Sequence, residues 1–168
     1  MLIILGGLPG AGKTTLAREL ARKLGAHHLR IDSIETAIDQ ADGRVMNDTG
    51  YRVAYAIAED NLRIGQSVVA DSVNPLAITR AAWVEVARRS DAHFVEVEIV
   101  CSDIHEHRRR IEARTSDIPG LRLPTWREVI EREYERWDPA LARIDTSGRT
   151  EAESLTQLLS AIPPRPVR

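Results

Sequence analysis

Residues 6–15 read Gly6-Gly7-Leu8-Pro9-Gly10-Ala11-Gly12-Lys13-Thr14-Thr15, directly after the apolar run Met1-Leu2-Ile3-Ile4-Leu5. From Gly7 to Thr14 the spacing is G-x-x-x-x-G-K-[ST], that of a phosphate-binding loop between a strand and a helix. The glycines let the backbone curl so that successive N–H groups point inward at an anion. The helix that follows adds the positive end of its dipole. Lys13 can reach β- and γ-phosphates, and the Thr14 hydroxyl can ligate Mg²⁺. Gly10, Ala11, Gly12, Lys13, Thr14 and Thr15 are therefore the expected contacts of a nucleotide, with ATP and Mg²⁺ as the expected cofactors. A plain glycine turn would leave the lysine at the helix start unexplained.

The rest of the composition sets bounds. A chain of 168 residues suggests a single domain over 1–168 with a core of its own. A formal net charge of -2 disfavours a large nucleic-acid footprint. The apolar runs are short, so no membrane span or membrane partner is expected. The first strand begins at once, without room for a signal peptide, which points to the cytoplasm. Cys101 is the single cysteine and ends an apolar run, where a buried thiol is expected rather than a reactive one.

Strand and helix alternate along the chain. Leu16, Leu20 and Leu24 recur at helical spacing over 14–24, and Gly25 suits the cap. A second strand is expected over 26–32, ending at Asp32. His27 and His28 would face opposite ways on it, which argues against a two-histidine metal site. Asp32 or Ser33 opens a helix, 40–50 reads as a loop, and 51–64 as a helix. Ser67–Asp71 is a third strand, and Asn74-Pro75 starts a helix to about Arg89. Phe94–Cys101 is the fourth strand, with Ser102-Asp103 as its exit and the cap of a basic helix over 104–114. Thr125–Glu128 is a capping box for a helix to about Trp137. Residues 142–146 form a fifth strand. Thr150–Glu153 is a second capping box, for a helix to about Ile162, and a loose tail follows. This alternation is the pattern of a parallel α/β sheet with helices on both faces. In such sheets ligands bind beyond the carboxyl ends of the strands, where the loop, Asp32, Asp71 and Ser102 should converge.

The chemistry that such a crevice permits is phosphoryl transfer. Asp32 is suited to accept the proton of an attacking hydroxyl, or else is a simple helix cap. Asp71 ends an apolar strand as a Walker B acid does and is the expected metal ligand alongside Thr14; the two acids could exchange roles. Asn74 could touch substrate or cap a helix. Arg110 and Arg114, four residues apart, stand at a proline- and glycine-hinged segment, and a lid is expected over 108–124. Their guanidinium groups could clamp the migrating phosphoryl oxygens, with Arg108 and Arg122 as weaker candidates. Trp126, Tyr134 and Trp137 read as packing anchors rather than a base-stacking platform.

The segments GLPGAGKTT at 7–15, RID at 30–32, VVADSVNP at 68–75, EHRRRIEAR at 106–114 and IDTSG at 144–148 resemble the small P-loop kinases. The nearest likeness is to the zeta-toxin-like and polynucleotide-kinase-like group of AAA-type predicted kinases, over nearly all of residues 1–160. That resemblance implies a three-layer α/β/α P-loop nucleoside triphosphate hydrolase fold with a five-stranded parallel sheet of order 2-3-1-4-5. It implies Asp32 as general base, Arg110 and Arg114 as lid arginines, and Thr146 and Ser147 near the adenine.

The reading that follows is an ATP-dependent phosphotransferase acting on a hydroxyl of a small molecule or nucleotide. Alternatives are a nucleic-acid 5′-hydroxyl kinase and a nucleotide-dependent ATPase or switch. The acceptor and the oligomeric state are not legible in the residues.

Overall fold

The computed structural model describes residues 1–42 and 48–164. Five parallel strands form one sheet in the order β2-β3-β1-β4-β5, the order that the resemblance implied. They are β1 (Leu2–Gly6), β2 (His27–Arg30), β3 (Val68–Asp71), β4 (Phe94–Val100) and β5 (Ala142–Asp145). The helices are α1 (Lys13–Leu24), α2 (Ile31–Asp42), α3 (Thr49–Arg63), α4 (Ala77–Arg89), α5 (Ile104–Ala113), α6 (Trp126–Ile130) and α7 (Glu151–Ala161).

The period-two alternation of strand side chains divides the core into two layers. Ile3, Leu5, Val69, Val97 and Ile99 pack against Leu16 and Leu20 of α1 and Leu155 and Leu158 of α7. Leu2, Ile4, Val68 and Ala70 face the other way, onto Ala54, Ala58 and Leu62 of α3 and Trp83 and Val86 of α4. The central strand β1 is buried on both faces, so it reads as an unbroken apolar run rather than an alternating one. Each buried leucine or isoleucine contributes about 1.5–3 kcal/mol relative to exposure.

Several boundaries differ from expectation. β2 ends at Arg30, and α2 begins at Ile31, so Asp32 lies in the first turn of a helix, not at a strand end or a cap. The loop expected over 40–50 shrinks from both sides, since α2 runs to Asp42 and α3 starts at Thr49; its middle, 43–47, lies outside the described residues. The end of the tail, 165–168, does too.

Asn74 does not cap α4. It is buried with φ of 48°, and its Nδ2 donates to Leu5 O at 2.8 Å. The free N–H of Ala77 is met by Glu135 Oε2 at 2.6 Å, from a distant segment.

The helix at 125–137 is the largest departure, because α6 stops at Ile130. Arg80 supplies the reason. Its buried guanidinium donates to Glu135 O at 3.3 Å and Arg136 O at 3.2 Å, and to Asn74 O and Pro75 O on the other side. The Glu135 N–H, which a helix ladder would need, donates instead to Pro75 O at 2.8 Å. Trp137 then lies under the Arg80 guanidinium, 5.0 Å from its ring centroid, and against Gly6. Tyr134 Oη donates to Glu98 at 3.1 Å, and Trp126 meets His107 edge-on. All three aromatic side chains act as packing anchors. Among the described residues, no helix is long and apolar enough to cross a membrane.

Candidate active site

A cavity of about 710 Å³ opens at the carboxyl ends of the strands. Its floor is the 7–14 loop. Gly12 has φ of 94°, a left-handed value natural to glycine, and hands the chain directly into α1 at Lys13. Gly10, Gly12, Lys13, Thr14 and Thr15 line the cavity. Ala11 lies beneath it, its N–H turned to Leu8 O at 3.2 Å and its carbonyl accepting from Thr146 Oγ1 at 3.0 Å.

Lys13 is buried, and its Nζ donates to Leu8 O at 2.9 Å. Burial pulls its ammonium down to about 8, opposed by the charges of Asp71 and Asp32 and helped by those of Arg114 and Arg132. An anion in the loop would relieve that cost.

Asp71 ends β3 at 3% exposure and borders the cavity. His28 Nε2 lies 3.0 Å from its Oδ2, so the neighbouring strand holds that carboxylate in place. Asp32 borders the same cavity from α2, with its side chain 41% exposed and Arg30 Nη2 3.9 Å away. Thr14 and Asp71 offer hard oxygen donors to the same cavity. Mg²⁺ commonly takes one or two such donors together with substrate phosphates, so the set fits it.

The two lid arginines part company. Arg110 lines the cavity but is held at β5, donating to Thr146 Oγ1 at 2.7 Å and Thr146 O at 2.9 Å while pairing with Glu106. Arg114 is the C-cap of α5, where the backbone turns extended and the helix ends. It lines the cavity within electrostatic reach of Lys13. Arg122 also borders the cavity and pairs with Glu128, whereas Arg108 pairs with Glu112 on the exposed surface.

The loop after α5, part of the segment expected as a lid, is tied down. Asp117 bonds to Arg18 of α1 and to Arg30 at the end of β2, and Gln40 Nε2 donates to Pro119 O at 2.8 Å.

Ser102 and Ser147 do not line the cavity. Ser102 bonds to Asp145 and to Ser147, which braces the turn after β5; Thr146 and Arg149 of that turn line the cavity. Cys101 is buried, and burial pushes its thiol up, as suits an inert core residue. Asp103 caps α5 as expected, accepting from His105 N at 2.8 Å and Glu106 N at 2.9 Å.

Among the cavity residues that escaped the sequence reading are Glu35, Tyr51, Ser72 and Arg132. Glu35 stands one helical turn after Asp32, a spacing that was visible. Arg132 lies beyond the expected lid and reaches the cavity because Arg80 bends the chain out of α6. Tyr51 and Ser72 carry no local signal.

A profile of the AAA domain family AAA_33 matches residues 2–136. The chain is 37% identical over 172 residues to a protein of Pyrococcus furiosus provisionally named adenylate kinase, covering 96% of this chain and 84% of that one. It is 29% identical over 128 residues to a shikimate kinase of Corynebacterium efficiens, covering 66% of this chain and 76% of that one. Among solved structures, the APS kinase of Mycobacterium tuberculosis in complex with AMPPNP and APS superposes with a TM-score of 0.71 at 21% identity, over 95% of each chain. That last likeness is one of fold. The family match is broader than the zeta-toxin-like and polynucleotide-kinase-like group.

Proposed function

The chain belongs to the AAA domain family AAA_33, and on that premise we propose that it transfers the γ-phosphoryl group of ATP to a hydroxyl of a small molecule or nucleotide. One observation carries the reading: Lys13, Thr14, Asp32, Asp71, Arg114 and Arg132 meet in one cavity. The kinase names carried by the relatives support it.

The loop N–H groups and Lys13 hold the β- and γ-phosphates. Thr14 and Asp71 would hold Mg²⁺, which when bound neutralises charge between those phosphates. Asp32 takes the proton of the acceptor hydroxyl, whose oxygen bonds to the γ-phosphorus as the bridging bond to ADP breaks. Arg114 and Arg132 stabilise the migrating oxygens; Arg110, bonded to Thr146, borders the nucleoside. A cytoplasmic setting, where ATP is at hand, belongs to this reading.

The test is ATP consumption and product formation over a broad panel of hydroxyl compounds, including 5′-hydroxyl oligonucleotides, comparing wild type with Asp32→Asn. A phosphorylated product whose rate falls at least about 100-fold in the variant is expected. No product with any acceptor, or equal rates, overturns the reading.

A further inference from the structure

The part of the cavity beyond Asp32 carries its own chemistry. Asp32 and Glu35 sit three residues apart on α2, one above the other on a helix face, and both line the cavity. Glu35 is half-buried because α3 comes very close. A Cβ at Gly50 would lie 2.3 Å from Glu35 Cγ, so only glycine there lets the glutamate stem lie flat against α3. Among the described residues, the Glu35 carboxylate forms no hydrogen bond or ion pair. Burial first, and then the charge of Asp32, hold it above the usual carboxylate range, while Arg132 opposes them.

Two hydroxyls line the same cavity. Tyr51 Oη accepts from Asn74 N at 3.3 Å, which leaves its own proton free. Ser72 is 4% exposed, and its Oγ is buried with no hydrogen bond of normal geometry; it stands close to Tyr51, whose phenol burial holds above its ordinary value. A buried hydroxyl left unpaired at a cavity wall is costly, and a polar ligand group there would remove the cost. Val73, Pro75 and Leu121 add apolar lining to the same cavity.

We propose that this subsite selects an acceptor bearing a second hydrogen-bond donor, a hydroxyl or an amine, one helical turn from the hydroxyl that is phosphorylated. The acceptor class is therefore a polyol or amino alcohol. The reacting hydroxyl donates to Asp32 and the second donor to Glu35, while Tyr51 and Ser72 serve the acceptor's remaining polar atoms. This rests on the phosphotransferase reading, since it takes Asp32 as the base.

The test is binding rather than turnover, so it is separate from the test of transfer. Full-length protein loaded with AMPPNP and Mg²⁺ is titrated with matched pairs. These are an inositol and its deoxy analogue, a ribonucleoside and its 2′- and 3′-deoxy forms, and an amino sugar and its deamino form. Wild type is expected to bind one parent compound about 10-fold or more tightly than the analogue lacking one donor. Glu35→Ala and Glu35→Gln should bind parent and analogue within about twofold of each other, with unchanged AMPPNP affinity and Tm reporting an intact fold. Hydroxyl pairs and amine pairs tell the two donor types apart. Equal binding of parent and analogue by wild type, discrimination that survives in both variants, or no binding by any compound overturns the proposal.

Discussion

Arg30 Nη1 donates to both carboxylate oxygens of Asp117, at 3.0 Å each, joining the end of β2 to the lid loop. The arginine side chain is only 5% exposed, and its other acidic neighbour is Asp32 at 3.9 Å. A buried guanidinium thus depends on Asp117 for its main counter-charge, and the loop after α5 is held against the same point from which Asp32 projects.

Asp117→Asn should loosen that tie. Hydrogen exchange over 115–124 is expected to rise, with a stability loss of about 1–2 kcal/mol, kept modest because Asp117 is half exposed. Hydrogen bonds from Arg18, then Arg30, hold the Asp117 carboxyl well below the usual carboxylate range. Its contribution is therefore present above the ordinary aspartate pKa and lost as pH falls below it. Stability measured from pH 6 down to pH 2 should drop less steeply in the variant. Parallel curves would contradict this.

Lys13 gives a second pH signature. Its folded value of about 8 lies below the 10.5 of the free side chain, chiefly through burial. Between those values the unfolded chain binds more protons, so stability of the free protein should rise with pH across that window. Bound phosphates favour the charged amine. Nucleotide binding at pH 8 should then take up about half a proton per site, and affinity should fall above pH 8. Calorimetry in two buffers of different ionisation heat measures the uptake, and Lys13→Met should abolish it.

Arg80→Met removes the side chain that holds Asn74, Pro75, Glu135 and Arg136 carbonyls together. A loss of about 2–4 kcal/mol, or a fall of about 5–15 °C in Tm, is expected from the released carbonyls. Because Arg132 hangs from that segment, phosphoryl transfer should fall more than ATP affinity. A variant with transfer and affinity equally reduced would count against the placing of Arg132.

Thr146→Val keeps the shape but removes the Oγ1 that accepts from Arg110 at 2.7 Å and bonds to Ala11 O or Val100 O, both at 3.0 Å. ATP affinity should weaken about 5–10-fold, with a Tm change of only a few degrees. Equilibrium titration with an ATP analogue checks it.

Some of this protein is decided within short stretches of chain. The loop at 7–14 is one, because its glycines, lysine and threonine act within a single turn. So are the capping boxes at Thr125 and Thr150, both formed as read, since cap and N3 residue are only three apart. Strands β1 and β3 were legible because burial on two faces demands nearly unbroken apolar runs.

The order of the sheet entered through family resemblance, since periodicity carries no information on which strands are neighbours. The end of α6 lay with Arg80, whose 55-residue reach to Glu135 O outweighs local helical preference. The part of the cavity beyond Asp32 was assembled mainly by the tertiary structure. Glu35, Tyr51, Ser72 and Arg132 come from four segments, and each matters only through what stands across from it. A phosphate is gripped largely by backbone from one loop, whereas a neutral acceptor must be read by side chains gathered from several elements.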